Sequence, residues 1–233
     1  MPSLQKNARV AGWLYLVLTI LGVTNLIYIP GKLIVQGNAA ATAQKILAFE
    51  SLFRFSIVSS LASVVVFVFL VLALHRLFKE VDQSLAMLMV VLVLVQVPIG
   101  FVDGATQLLV LLLVRGADFL SVFNQLQREA LAMLFLKLGT QMTIVSEIFW
   151  GLWLFPLGLL TFRSGFLPRF LGVWLIINGV AYLVMSFVAM MIPLYTDFIS
   201  KITFPLLFGE MVFMLWLVIR GARPKQPVDL APA

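Results

Sequence analysis

The stretch FSIVSSLASVVVFVFLVLAL, residues 55–74, carries no charge over its whole length and is closed by Arg54 before it and by His75 and Arg76 after it. At about 1.5 Å per residue such a helix is about 30 Å long, the thickness of the hydrocarbon core of a bilayer. A helix also pairs every backbone N–H and C=O within itself, which lipid demands. The stretch reads as a transmembrane helix and sets the scale for the rest of the chain.

Composition extends that reading in both directions. Of 233 residues, 62% are hydrophobic and 11% charged, and the mean hydropathy is +1.10. That leaves too little polar surface to solvate a globule, so the solvent is lipid. Five further segments fit the same template: 10–29, 85–114, 131–162, 170–192 and 203–219. The expectation is an all-α integral membrane bundle of six transmembrane helices forming one domain over residues 1–222. A disordered tail follows from Arg223, rich in Pro and Ala. The first segment is expected to be retained, because its apolar run exceeds the usual signal-peptide core of about 7 to 15 residues. The cleavage-like Ala41-Thr42-Ala43 also lies too far downstream.

Local signals divide the chain further. Pro30-Gly31 is expected to end the first span, and Asn38 to cap a helix leading into the second. Pro98, with Gly100 and Gly104, predicts a kink in the third. Between spans three and four, Phe119, Val122, Phe123 and Leu126 recur at helical spacing opposite Asp118, Ser121, Asn124, Gln125 and Arg128. This predicts an amphipathic surface helix over 115–129, either passive or a lid over an outward cavity.

There is no cysteine and one histidine. Disulfides, thiolate nucleophiles and histidine-rich metal sites lack their ligands, so neither a cofactor nor a metal is expected and no catalytic residue is assigned. His75, beside Arg76, reads as an interfacial residue. The net charge of +6 comes from basic residues flanking hydrophobic spans, where topology accounts for them. The partner they imply is the lipid bilayer, with no nucleic acid. An even number of spans puts both termini on one side. That side carries Lys6, Arg9, Arg76, Lys79, Arg163, Arg169, Arg220, Arg223 and Lys225 in short loops and tails, nine against seven on the other side, with Trp13, Trp174 and Trp216 about one turn inside the arginines. Both patterns point to cytoplasmic termini.

Charges within the spans need a reason, since an Asp, Lys or Arg at a helix centre costs roughly 2.5 to 3.5 kcal/mol on insertion scales. Arg54, Asp103, Glu147 and Glu210 are such residues. Counted from the terminus side, Glu210 and Asn178 fall near the midplane, and Glu147, Asp103 and Arg54 progressively further out. Gln96, Gly100, Asp103 and Gln107 share one face of span three; Thr140, Thr143 and Glu147 share one of span four; Asn178 and Tyr182 are one turn apart in span five. The expectation is a sealed, apolar terminus-side half and an outer half with converging polar stripes. Its candidate ligand- or ion-binding residues are Arg54, Asp103, Glu147, Asn178, Tyr182 and Glu210. Three carboxylates face one arginine, for which Glu50 also competes at i, i+4. The unpaired acids require a proton or a cation. Bland readings stand beside these. Arg54 is a border arginine paired with Glu50 or Glu147, Trp150 and Trp153 are packing or cavity wall, and Ser56, Ser59, Ser60 and Ser63 are a helix-packing stripe.

Four segments carry a resemblance. The opening Ala8-Arg9-Val10-Ala11-Gly12-Trp13-Leu14-Tyr15-Leu16, the stretch Ala41-Thr42-Ala43-Gln44-Lys45-Ile46 leading to Phe53-Arg54, the loop Arg163-Ser164-Gly165-Phe166-Leu167-Pro168-Arg169, and Gly209-Glu210 before Leu215-Trp216-Leu217 together resemble a bacterial domain-of-unknown-function family, numbered four-three-eight-six. The resemblance implies a multi-pass protein of the bacterial plasma membrane, with Arg54 and Glu210 in family-like positions. It implies no activity. Three functions stay open: a bundle whose outer acidic cavity binds or carries a small polar or cationic solute, or protons; a non-catalytic structural or regulatory membrane partner subunit; and an intramembrane lipid-modifying enzyme using Glu147 or Glu210 as acid or base.

Overall fold

The structure is a computed structural model and describes residues 2–222. The tail expected to be disordered from Arg223 lies outside the described residues. Among those described there is no strand, and six helices are long and apolar enough to cross a membrane.

The first span is α1 (Pro2–Val23), a π-helical turn (Thr24–Tyr28) and α2 (Ile29–Leu33). Contrary to the expectation from sequence, Pro30-Gly31 does not end it; the helix runs on to Leu33. Pro30 lacks an N–H and its ring would press on the carbonyl one turn back. The wider π turn just before it relieves that clash, and Pro30 lies in the first turn of α2. Asn38 caps α3 (Ala39–Ala48) as expected, its side chain accepting from the Ala41 N–H at 2.9 Å, a cap contributing about 1 kcal/mol.

The second and third spans are α4 (Glu50–Phe78) and α5 (Gln83–Arg115), with Asp82 capping α5 through the Leu85 N–H. They pack closely because two glycines of α5 face α4. A Cβ on Gly100 would strike Val64, and one on Gly104 would strike Leu61.

The link to the fourth span is not the amphipathic surface helix expected over 115–129. Gly116 takes a left-handed conformation (φ 69°) that ends α5, as glycine does where a side chain would clash. A single 3₁₀ turn (Asp118–Leu120) follows. Asn124 and Gln127 then form a reciprocal capping box that opens α6 (Gln125–Ser164). Phe119, Val122 and Leu126 do face outward, so the apolar pattern is real, but its backbone is a turn between a helix stop and a helix start.

With 40 residues, α6 is about 60 Å long, twice the hydrocarbon core. Its first half lies on the side opposite the termini. There it meets α2, α3 and the ends of α4 and α5 in a buried cluster that includes Leu33, Ile46, Phe53, Val110 and Ala132. The second half of α6 pairs with α7 (Arg169–Met191) through glycines placed back to back, Gly151 with Gly179 and Gly158 with Gly172.

The sixth span is broken. A short helix, α8 (Thr196–Thr203), gives way to a 3₁₀ turn (Phe204–Leu207) containing Pro205, and α9 (Phe208–Ile219) completes the crossing. Trp174 of α7 donates its indole N–H to the Leu206 carbonyl at 3.2 Å, occupying one acceptor that the break exposes. It thus pins the break.

The terminus-side half holds the main core: Ala8 and Ala11 of α1, Leu70 and Leu74 of α4, Met89 and Val93 of α5, Leu157 of α6, Leu171 of α7 and Leu217 of α9 are all fully buried. Large apolar side chains such as Val58, Phe69, Val91 and Phe187 point outward, as they do when lipid is the solvent.

Candidate functional site

Beyond the packed core the bundle opens. The first segment of the opening is a cavity of about 240 Å³. Five helices line it with residues at helical spacing: Tyr15, Leu18 and Gly22 of α1; Ser60, Val64 and Phe67 of α4; Gln96, Gly100 and Asp103 of α5; Thr143, Ser146, Trp150 and Trp153 of α6; Tyr182 of α7. Asn25 of the π turn and Glu210 of α9 complete the wall. A second chamber of about 300 Å³ lies beside the buried cluster of Leu33, Ile46 and Phe53 and is lined also by Gln36, Gln107 and Thr140. The two share Asn25, Leu26, Ser60, Asp103 and Thr143, so they adjoin, with Asp103 on the wall of both, and together form the cleft.

Glu210 forms the inner end. It lies in the first turn of α9, the end at which a helix macrodipole complements a carboxylate. Tyr15 donates its hydroxyl to Glu210 Oε2 at 2.8 Å. Oε1 is shielded from solvent and has no hydrogen-bond partner among the described residues. Asp103 is held by Gln107, whose amide donates to Oδ2 at 2.8 Å; its Oδ1 sits over Gly139, where a Cβ would come within 2.8 Å. Two further polar groups on the wall lack partners among the described residues, Asn25 Nδ2 and Gln96 Nε2. Asn25 is fixed by its other end, Oδ1, which accepts from the Ser59 hydroxyl at 2.7 Å.

Aromatic rings make up much of the inner chamber. Trp153 packs against Phe67 at 5.1 Å and Tyr15 at 6.1 Å between centroids, and Trp150 meets Tyr182 edge to face at 5.9 Å.

Of the six residues singled out in the sequence, Asp103, Tyr182 and Glu210 line the cleft. Arg54, Glu147 and Asn178 do not. Arg54 is exposed and paired with Glu50 at 2.6 Å, and Arg115 holds the same carboxylate at 2.8 Å. Glu147 is half-buried on α6. Asn178 is fully buried with neither side-chain atom bonded among the described residues. The constellation therefore narrows to two carboxylates and a tyrosine. It also gains Tyr15 and Asn25, which sequence reasoning missed. Their signal was present, since 15, 18, 22 and 25 follow helical spacing along span one. Among the described residues no group of three His, Asp or Glu gathers as a metal-ligand set would.

Fold and cleft together define a polytopic membrane bundle with a largely apolar internal chamber that carries two carboxylates. A family model, Domain of unknown function (DUF4386), matches residues 10–221. The chain belongs to that family. It is also similar to an uncharacterized protein of the archaeon Archaeoglobus fulgidus, 31% identical over 85 residues, which is 36% of this chain and 49% of that protein. The chain thus spans about half the length of this curated relative. No solved structure matches.

Proposed function

We propose that this protein binds a small, positively charged polar solute in the cleft, reached from the side of the membrane opposite the termini. One observation carries the reading. Two carboxylates stand on the wall, and among the described residues lining either chamber none is Lys, Arg or His. A carboxylate shielded from water is neutralised by a proton or by a cation, and aromatic rings beside it add cation–π attraction of about 1–2 kcal/mol. The packed terminus-side core lies beneath the cleft, which supports entry from the outer half. A structural role is the better reading for Arg54, whose charge is taken up by Glu50 at the border.

The arginines and lysines of the terminus-side loops support a plasma membrane location with cytoplasmic termini. Reporter fusions at the C-terminus test that orientation.

The binding reading is tested by thermal unfolding of the purified protein with matched small organic cations and anions. A cation at one hundred times its Kd stabilises by about 2.7 kcal/mol, and E210Q removes the shift. Equal stabilisation by anions, or none by cations, contradicts the reading.

A further inference from the structure

The first and sixth spans separate partway across the membrane. On the terminus side they pack tightly: a Cβ on Gly12 would strike the backbone of Leu217 and Val218, and Ala8 and Tyr15, on the same face of α1, are buried. Tyr15 and Glu210 join the two spans by their hydrogen bond. Just beyond Glu210 the sixth span breaks at Phe204–Leu207, and both that turn and α8 pack on α7. The first span instead continues along α4, where Asn25 accepts from Ser59.

This divergence uncovers one face of the first span. Residues 8, 12, 15 and 19 form the stripe that meets α9, and Val23 and Leu26 continue it at helical spacing. Val23 is 49% and Leu26 51% exposed, against 0% and 2% for Ala8 and Tyr15. The walls of the cleft show the same gap. Among the described residues, the sixth span supplies only Glu210 to the lining of either chamber, and α7 only Tyr182. Leu26 lines both chambers, so the uncovered stripe borders the cleft. Between the first span and α7 there is thus a sideways seam, with Glu210 at its inner end. Ile20 and Ile27, exposed beside Val23, mark lipid as what lies outside it.

Acid inside and hydrocarbon outside select a particular ligand. Leu18, Leu26, Val64, Phe67 and Met142 make most of the inner chamber apolar. A free ion bound there would have hydrocarbon on its seam side, which solvates charge poorly. A cation carrying an alkyl chain satisfies both surroundings. Its charge stays within the cleft, near Asp103 or Glu210, while its chain passes through the seam and remains in lipid.

We propose that the ligand is a single-chain alkylammonium amphiphile from the half of the bilayer opposite the termini, its head held by the carboxylates of the cleft and its chain threaded between the first span and α7. This rests on the cation reading above and adds the chain that comes with the charge.

The test is photo-labelling of the full chain in phosphatidylcholine nanodiscs. The probe is dodecylammonium with a diazirine on its chain, and the control is dodecanol carrying the same diazirine. Both partition into lipid, so the alcohol reports ordinary solvation of the surface. Peptide mapping should find the ammonium probe on residues 19–27 and on α8 about tenfold more than on Val58 and Phe69, exposed on α4, the ratio expected from one charge-assisted hydrogen bond. The alcohol should show no such excess, and E210Q or D103N should reduce it. Uniform labelling by the ammonium probe, while short alkylammonium ions still stabilise the protein, overturns this inference and leaves the cation reading standing. Uniform labelling without that stabilisation overturns both. An excess that the alcohol shares, or that survives in both variants, removes the carboxylates from recognition and overturns both as well. The alcohol control needs no variant, so the result is decisive even where E210Q folds poorly.

Discussion

Replacing Gly151 by alanine should loosen the wall that carries the aromatic rings. A Cβ at that position would come within 2.7 Å of the Gly179 carbonyl oxygen and 3.0 Å of Leu183 Cγ, and one on Gly179 would meet the Gly151 carbonyl at 2.8 Å. A carbon approaches a carbonyl oxygen comfortably at about 3.3 Å, so the deficit is roughly 0.6 Å against a backbone atom that cannot rotate aside. The two helices must part, and overpacking of this kind costs about 1–3 kcal/mol. Alanine returns about 0.5–1 kcal/mol in a helix interior by restricting the unfolded chain. The same substitution at Gly22 or Gly31, where an added Cβ meets nothing within 4 Å, has only the favourable part. G151A should therefore unfold about 1–3 kcal/mol more easily than G22A or G31A in mixed detergent–SDS titrations. Because Trp150 precedes Gly151 and Tyr182 lies one turn beyond Gly179, its tryptophan emission should shift as well. A G151A protein as stable as G22A would refute close glycine pairing as the basis of the α6–α7 interface.

Three further outcomes follow from the cleft. The chain has no cysteine, so single cysteines can be introduced without a prior deletion background. S60C, shared by both chambers, should react with a charged, impermeant thiol reagent from the side opposite the termini, whereas L74C in the packed core should not; labelling of S60C from the terminus side contradicts entry from the outer half. Y15F removes the hydroxyl bonded to Glu210 and should lower stability by about 1–3 kcal/mol, with strong non-additivity against E210Q in a double-mutant cycle; additive effects mean that the bond contributes nothing. R54A should leave solute binding unchanged, since Arg54 lies outside the cleft and Arg115 still holds Glu50; a loss of binding would return Arg54 to the site.

Much of this protein is written in its local chemistry. A run such as residues 55–74 has one stable answer in lipid, because backbone polar groups must pair within the segment. Six such runs fix the class, and stop and start signals such as the Asn38 cap are legible because they act on their own backbone. The helix stop at Gly116 and the capping box at Asn124 were legible too, but a periodic apolar pattern across them argued for continuity. The π turn before Pro30 and the break at Pro205 likewise show that proline marks a disturbance without saying whether the helix ends, widens or restarts.

The site divides along the same line. Asp103 and Glu210 stand out in sequence because a charge in an apolar run has no local explanation. What surrounds each of them depends on which helices meet, and that is set by glycines whose use appears only when two backbones touch, Gly100 under Val64 and Gly151 against Gly179. So it was the tertiary structure that separated Arg54, satisfied by its neighbour Glu50, from Glu210, whose partner Tyr15 lies 195 residues away in the chain. Hydropathy is a property of single segments and decided that this chain lives in a membrane. The cleft is a property of several helices at once, and only their packing could bring its walls together.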